Sequence, residues 1–220
     1  MKSKFRNLTL SQVLLFVVFP FLEGDKYGLI LLIVLDSVIL FFAICAVSYQ
    51  RKNAIIASLL GLPWFFLTWA ELFFLPPSLL LSVISYVFWA FFYLFTALLI
   101  LFYVLKSSKV TGDFLYGAIS VYMLIGNAWH AIYLVIYSFQ PNAFVIGAAH
   151  NIDGVVSWSE LLYFSFITLT TLGYGDIVPV TSSARSFAML EAIIGVMYLA
   201  IIISRLVGFY IAQAMKEKPK

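Results

Sequence analysis

Long apolar runs, separated by short polar punctuation, dominate the chain, at about 8–22, 28–48, 54–75, 79–105, 114–138 and 186–212. A helix rises 1.5 Å per residue, so roughly 20 residues carry it through the ~30 Å apolar layer of a bilayer. Five of the runs reach that length. The first is shorter and contains Pro20, so it must recruit flanking residues back to Phe5 or thin the bilayer locally. It lacks a small-x-small cleavage site and reads as an uncleaved first span rather than a signal peptide. The pattern predicts an all-α membrane protein with six transmembrane helices.

One polar interruption is of another kind. After a loop from Ser138 to about Ser157 comes SWSELLYFSFITLTT, then LGYGD. Ser157 followed by Glu160 is a capping box, which starts a helix. A helix over 158–170 is about 20 Å long, too short to cross, so it is expected to dip in and return as a re-entrant helix. Its C-terminal end carries roughly half a negative charge and favours a cation. The backbone then leaves the helix at Thr171, and non-helical backbone at membrane depth is tolerated only where it lines a cavity or is buried in protein. Gly173 and Gly175 accept positive φ, so alternating backbone handedness can turn successive carbonyls to one side. The Thr171 carbonyl and hydroxyl and the carbonyls of Leu172, Gly173 and Tyr174 are the expected oxygens for a dehydrating ion, with Gly175 completing the turn. Leu172 and Tyr174 are expected to pack their side chains back against the short helix. Asp176 adds negative potential at the outer mouth.

Composition fixes the class. Of 220 residues, 64% are hydrophobic and 10% charged, and the mean hydropathy is +1.05, which excludes a soluble domain. The placement of charge sets the orientation. Lys2, Lys4, Arg6, Arg51, Lys52, Lys106, Lys109, Lys216, Lys218 and Lys220 fall on one side of a six-span chain, and Glu23, Asp25, Glu71, Asp153 and Asp176 on the other. Basic loops face the cytoplasm, so both termini are expected there. The lone cysteine, Cys45, sits in an apolar run and reads as a small buried hydrophobe. No paired catalytic carboxylates, nucleophile–base arrangement or phosphate loop points to an enzyme.

TTLGYGD, residues 170–176, resembles the selectivity-filter signature of potassium channels of the tetrameric pore-loop superfamily. The resemblance covers roughly residues 112–212 and includes the short helix, Pro179 and the long last span. It departs at Leu172, where the family most often has valine, and at Tyr163 and Phe164, which replace common pore-helix tryptophans. It implies a homotetramer around a central axis, with K+ held at Thr171, Leu172, Gly173 and Tyr174 and no organic cofactor. It implies filter support by Thr170 and Tyr163, with Tyr163 as hydrogen-bond donor, and a candidate gating hinge at Gly195; Glu191 joins the support on its depth. Residues 1–110 then form a four-helix membrane domain and 111–220 a pore domain: outer helix, pore helix 158–170, filter 171–176 and inner helix. The fourth run, 79–105, contains no Lys or Arg, so the gating charge of a voltage sensor is absent.

Single polar residues complete the reading. Asp36 is mid-span and expected either to stay protonated or to bond hydroxyls such as Thr68 or Tyr86. His130 and Glu191 match in depth to within about a turn, and Asn127 shares the face of His130. Glu191 either couples to His130 in a proton-sensitive pair or bonds the pore helix as static support. Arg205 is expected outside the pore, and His150 is expected to be solvated. The resulting function is a passive, potassium-selective channel in a plasma membrane of bacterial type. Its partners are membrane lipid and its own copies, with no nucleic acid and no soluble regulatory domain. The alternatives are a weakly selective cation channel and a non-conducting regulatory membrane subunit. Potassium-against-sodium reversal potentials, and co-purification without flux, separate them.

Overall fold

The computed structural model describes residues 4–22, 26–76, 78–107, 109–147 and 156–217. Its helices are α1 (Arg6–Val18), α2 (Lys26–Val47), α3 (Arg51–Phe73), α4 (Leu79–Lys106), α5 (Gly112–Phe139), α6 (Trp158–Leu169) and α7 (Ser182–Glu217). His150 and the loop acid Asp153 lie outside the described residues, as do Glu23, Asp25, Lys2, Lys218 and Lys220. Five helices, α2 to α5 and α7, are long and apolar enough to cross a bilayer.

α1 departs from a simple first span. It has 13 residues, about 20 Å, and a 3-10 turn at Phe19–Phe21 follows as Pro20 ends the regular ladder. It climbs along α5 in the same direction. The amides of Lys4 and Phe5 donate to Asp113 Oδ1 at 2.6 and 3.2 Å. One turn on, the Thr9 hydroxyl contacts the Tyr116 carbonyl at 2.9 Å and the Ser120 hydroxyl at 2.7 Å. Phe16 then meets Phe166 edge-on at 4.6 Å, and Phe19 approaches Trp158. These contacts carry the segment from the start of α5 to the start of α6.

α5 starts where the Thr111 hydroxyl accepts from the Phe114 amide. It is the most buried helix, with α4, α6 and α7 packed on it. At the start of α5, Arg205 of α7 donates to the carbonyls of Leu105 and Ser107, the latter at 3.0 Å. A cation is thereby placed on the carbonyl end of α4, where the helix dipole favours it.

The expectation of an all-helical chain missed one short ladder. β1 (Phe144–Ile146) pairs antiparallel with β2 (Ile177–Pro179), Val145 opposite Val178. The Gly147 amide donates to the Asp176 carbonyl and the Val180 amide to the Ala143 carbonyl. Three-residue strands carry too little alternation to announce themselves in sequence, but here they tie the segment after Gly175 to the loop after α5.

α7 turns a single stripe toward its own chain: Ala184, Glu191, Gly195, Tyr198 and Ile202 are buried at helical spacing. Around them Met189, Ile193, Val196, Met197 and Ile203 stay exposed. Lipid tails or other protein must cover these, because no membrane protein wets such a surface.

Candidate functional site

The site grows from the end of α6. Ser157 and Glu160 close the capping box: the Glu160 amide donates to the serine hydroxyl at 3.2 Å, and the carboxylate accepts from the Ser157 amide at 2.6 Å. Twelve residues later the helix stops, leaving four carbonyls without helical partners. The next segment satisfies them. The Phe166 carbonyl receives the Thr170 amide, the Thr168 carbonyl the Thr171 amide, and the Ile167 carbonyl the amides of Leu172 and Gly173 at 2.9 and 3.2 Å. The Leu169 carbonyl receives the Tyr122 hydroxyl at 3.2 Å.

This pairing decides where the segment's own oxygens go. In a trans peptide, N–H and C=O point in opposite directions, and no cis peptide occurs among the described residues. The amides of 171, 172 and 173 point at the helix, so the carbonyls of Thr170, Thr171 and Leu172 point away from it. The alternation continues outward: φ is +61° at Thr171, +52° at Gly173 and +81° at Gly175. Glycine takes such values freely, whereas a β-branched threonine there is strained. The glycines were legible in the sequence; the strained threonine was not.

Several expectations need correction; Cys45, for one, is exposed rather than buried. Leu172 and Tyr174 do not pack against their own α6, being 59% and 70% exposed. The segment is held to its helix by backbone bonds, and its side chains project beyond what one chain covers. His130 and Glu191 do not meet either. His130 Nε2 faces the Trp158 carbonyl at 3.1 Å, its ring set edge-on against Trp158 and Trp89. Asn127 spends its amide on its own helix, at the Met123 carbonyl. Glu191, fully buried, instead accepts from the Tyr133 hydroxyl and, at 2.6 Å, from the Ser165 hydroxyl. Ser165 also lies 2.8 Å from the Gly126 carbonyl. One carboxyl thus ties α5, α6 and α7 together directly behind the segment. Tyr133 and Ser165 were missed; a serine in α6 at the depth of Glu191 was the signal. Glu191→Ala leaves the Tyr133 hydroxyl unpartnered and is expected to cost about 1–3 kcal/mol, read as a lowered unfolding midpoint in detergent. Glu191→Gln, which can still accept one of the two bonds, should recover at least half of that loss.

Other named residues fall as follows. The Thr170 hydroxyl bonds back to the Phe166 carbonyl at 2.7 Å, capping α6 rather than facing outward. The Tyr163 hydroxyl donates to Asp176 Oδ2 at 2.7 Å, while Asp176 Oδ1 accepts from the Ile177 amide. Tyr163→Phe keeps the ring and removes the bond; it is expected to cost about 0.5–1.5 kcal/mol, read as a lowered unfolding midpoint in detergent.

Gly195 packs where a Cβ would fall 2.1 Å from the Leu169 carbonyl oxygen, so the inner helix touches the end of α6 at that point. Asp36 accepts from Tyr93 at 3.4 Å, not from Thr68 or Tyr86; Thr68 pairs with Ser85 instead. Arg205 is engaged with the end of α4 and stacked 4.9 Å from the Phe209 ring.

Residues 79–212 match the family model described as ion channel. The chain is 38% identical over 56 residues, 25% of its length and 60% of the relative's, to the potassium channel protein kcv of Paramecium bursaria Chlorella virus 1. It is 32% identical over 84 residues, 37% of its length and 17% of the relative's, to two pore potassium channel c of Oryza sativa subsp. japonica. It is 30% identical over 107 residues, 47% of its length and 23% of the relative's, to two-pore potassium channel 5 of Arabidopsis thaliana. The chain therefore spans between 17% and 60% of these curated relatives. No solved structure matches it.

Proposed function

Because the chain belongs to the ion channel family, we propose that it is a potassium-selective channel. Four copies assemble as a closed ring, each contributing Thr171, Leu172, Gly173, Tyr174 and Gly175 to one filter. K+ exchanges its water for the carbonyls of Thr171 to Tyr174 and for the threonine hydroxyl. Asp176, held by Tyr163, concentrates cations at the outer mouth. Thr170 and Glu191 hold the filter from behind. Residues 1–110 form a membrane domain without gating charges and 111–220 the pore domain, with six spans and both termini cytoplasmic, in a plasma membrane of bacterial type. α1 completes the sixth crossing with its 3-10 turn.

The observation that carries this reading is the alternation of positive φ at Thr171, Gly173 and Gly175, joined to the ties from the amides of 171–173 to α6. An ion at the free ends of those carbonyls would help offset the strain of Thr171. The exposed Leu172 and Tyr174 side chains favour a neighbouring copy as their cover. The test is a planar bilayer recording of the purified chain with potassium on one side and sodium on the other. The expected reversal potential lies near the potassium equilibrium value. A value near zero supports a weakly selective cation channel, and absence of current with co-purification of another protein supports a non-conducting subunit. Crosslinking in detergent is expected to stop at four copies.

A further inference from the structure

Away from the filter, α2, α3, α4 and the first residue of α6 enclose a cavity of about 280 Å³. It lies at the end of the bundle where α3 finishes and α4 and α6 begin. One wall holds Asp36, only 3% exposed. Among the described residues, its one hydrogen bond is the 3.4 Å contact from Tyr93, at the limit of bonding distance. A carboxyl buried in apolar surroundings at membrane depth calls for a charged or donor-rich partner. Among the described residues, no Lys, Arg or His lines the cavity.

The other walls are aromatic. Trp64 stacks on Trp89 at 5.3 Å and 17°, and Trp89 on Trp158 at 6.2 Å and 6°. The Trp89 indole N–H is buried and points among these rings, with no well-aligned acceptor among the described residues. Indole faces attract cations within about 6 Å, most strongly where water is excluded. Leu29, Leu32, Ile33 and Leu72 supply apolar lining, and Glu71, bonded by the Ser82 hydroxyl at 3.0 Å, stands in the same wall system.

We propose that this cavity binds a small organic ammonium ion carrying an apolar group. Its N–H donors and its charge meet Asp36, beside the Trp64 and Trp158 walls, and its hydrocarbon part fills the aliphatic lining. The volume lies near the small end of the ~300–1,000 Å³ range of ligand pockets, which suits a single-ring or short-chain amine. A divalent metal fits poorly: it takes six or more oxygens, and no cluster of three His, Cys, Asp or Glu exists among the described residues. Trp158 is both a cavity wall and the first residue of α6, and its carbonyl is engaged by His130. An occupant therefore touches the element that carries the filter. The binding claim does not need the channel reading, since its readout involves no ion flux.

The experiment is tryptophan fluorescence of the full chain in phosphatidylcholine nanodiscs, titrated with benzylammonium chloride at constant ionic strength. A saturable change is expected, at least tenfold weaker in apparent affinity for Asp36→Asn and absent for the neutral isostere benzyl alcohol. Equal responses to the two compounds in the unmodified chain overturn the proposal, whatever the fold of the variant. Undiminished affinity in Asp36→Asn overturns it as well. Adding phosphatidylethanolamine distinguishes the source: a rightward shift of the titration assigns the site to a lipid ammonium headgroup, an unchanged one to free amines, and either upholds the ammonium chemistry.

Discussion

Replacing Gly173 by alanine is expected to abolish potassium flux. Residue 173 sits at φ +52°, where an L side chain costs about 1–2 kcal/mol. A Cβ there meets nothing within 4 Å of its own chain, so the penalty is conformational rather than a local clash. In the proposed four-fold filter the cost recurs in every copy and sums to roughly 4–8 kcal/mol, against about 1.4 kcal/mol per tenfold. The filter escapes by flipping the peptide, which turns a carbonyl away from the ion. Flux from loaded liposomes should fall by more than about 100-fold, while assembly, set by helix packing, is retained. Gly208→Ala, also with nothing within 4 Å but in helical backbone, is the silent control. Conduction by Gly173→Ala within a factor of three of the parent would remove the carbonyl column as the conducting path.

Gly195→Ala is the second large effect, for a different reason. The added methyl would sit 2.1 Å from the Leu169 oxygen and 3.0 Å from its carbonyl carbon, both backbone atoms. Side-chain rotation cannot relieve that, so α7 must move away or the end of α6 must rise. Either motion pulls on the carbonyl that accepts the Tyr122 hydroxyl and on the turn that anchors the amides of 171–173. Overpacking of this kind costs about 1–3 kcal/mol. We expect a lower unfolding midpoint together with at least a tenfold loss of current, and a partial return of current on adding Leu169→Ala only if side-chain crowding contributes. Normal current in Gly195→Ala would leave the glycine as a bending point alone, without a packing role.

Much of the framework was readable because hydrophobic run length and capping chemistry are local. Ser157 and Glu160 announce the start of α6 in four residues, and the glycine spacing announces positive φ at 173 and 175. The missing basic residues of 79–105 are likewise visible without coordinates. What was misread depends on partners far apart in sequence. Depth matching along α5 and α7 offered Glu191 either His130 or the short helix; the short helix supplies Ser165, while helix rotation sets which residue of α5 faces inward, and that is Tyr133. Asp36 was assigned hydroxyls on the right helices, but α2 presents it to Tyr93 and to a cavity instead. The β1–β2 ladder and the course of α1 along α5 rest on contacts more than thirty and a hundred residues apart, and no periodicity encodes them.

The amino-acid order alone determined that this chain has bilayer-crossing helices and that a short capped helix precedes a glycine-punctuated turn at residues 170–176. These follow from transfer free energy and backbone sterics, which act over a few residues at a time. Only the folded molecule decided that Thr171 joins the glycines at positive φ, that Glu191 clasps Tyr133 and Ser165, that Gly195 makes room for a carbonyl, and that three indoles and Asp36 enclose a cavity. Each of these depends on how helices rotate and approach in space, a property of the whole packing that no local stretch of sequence contains.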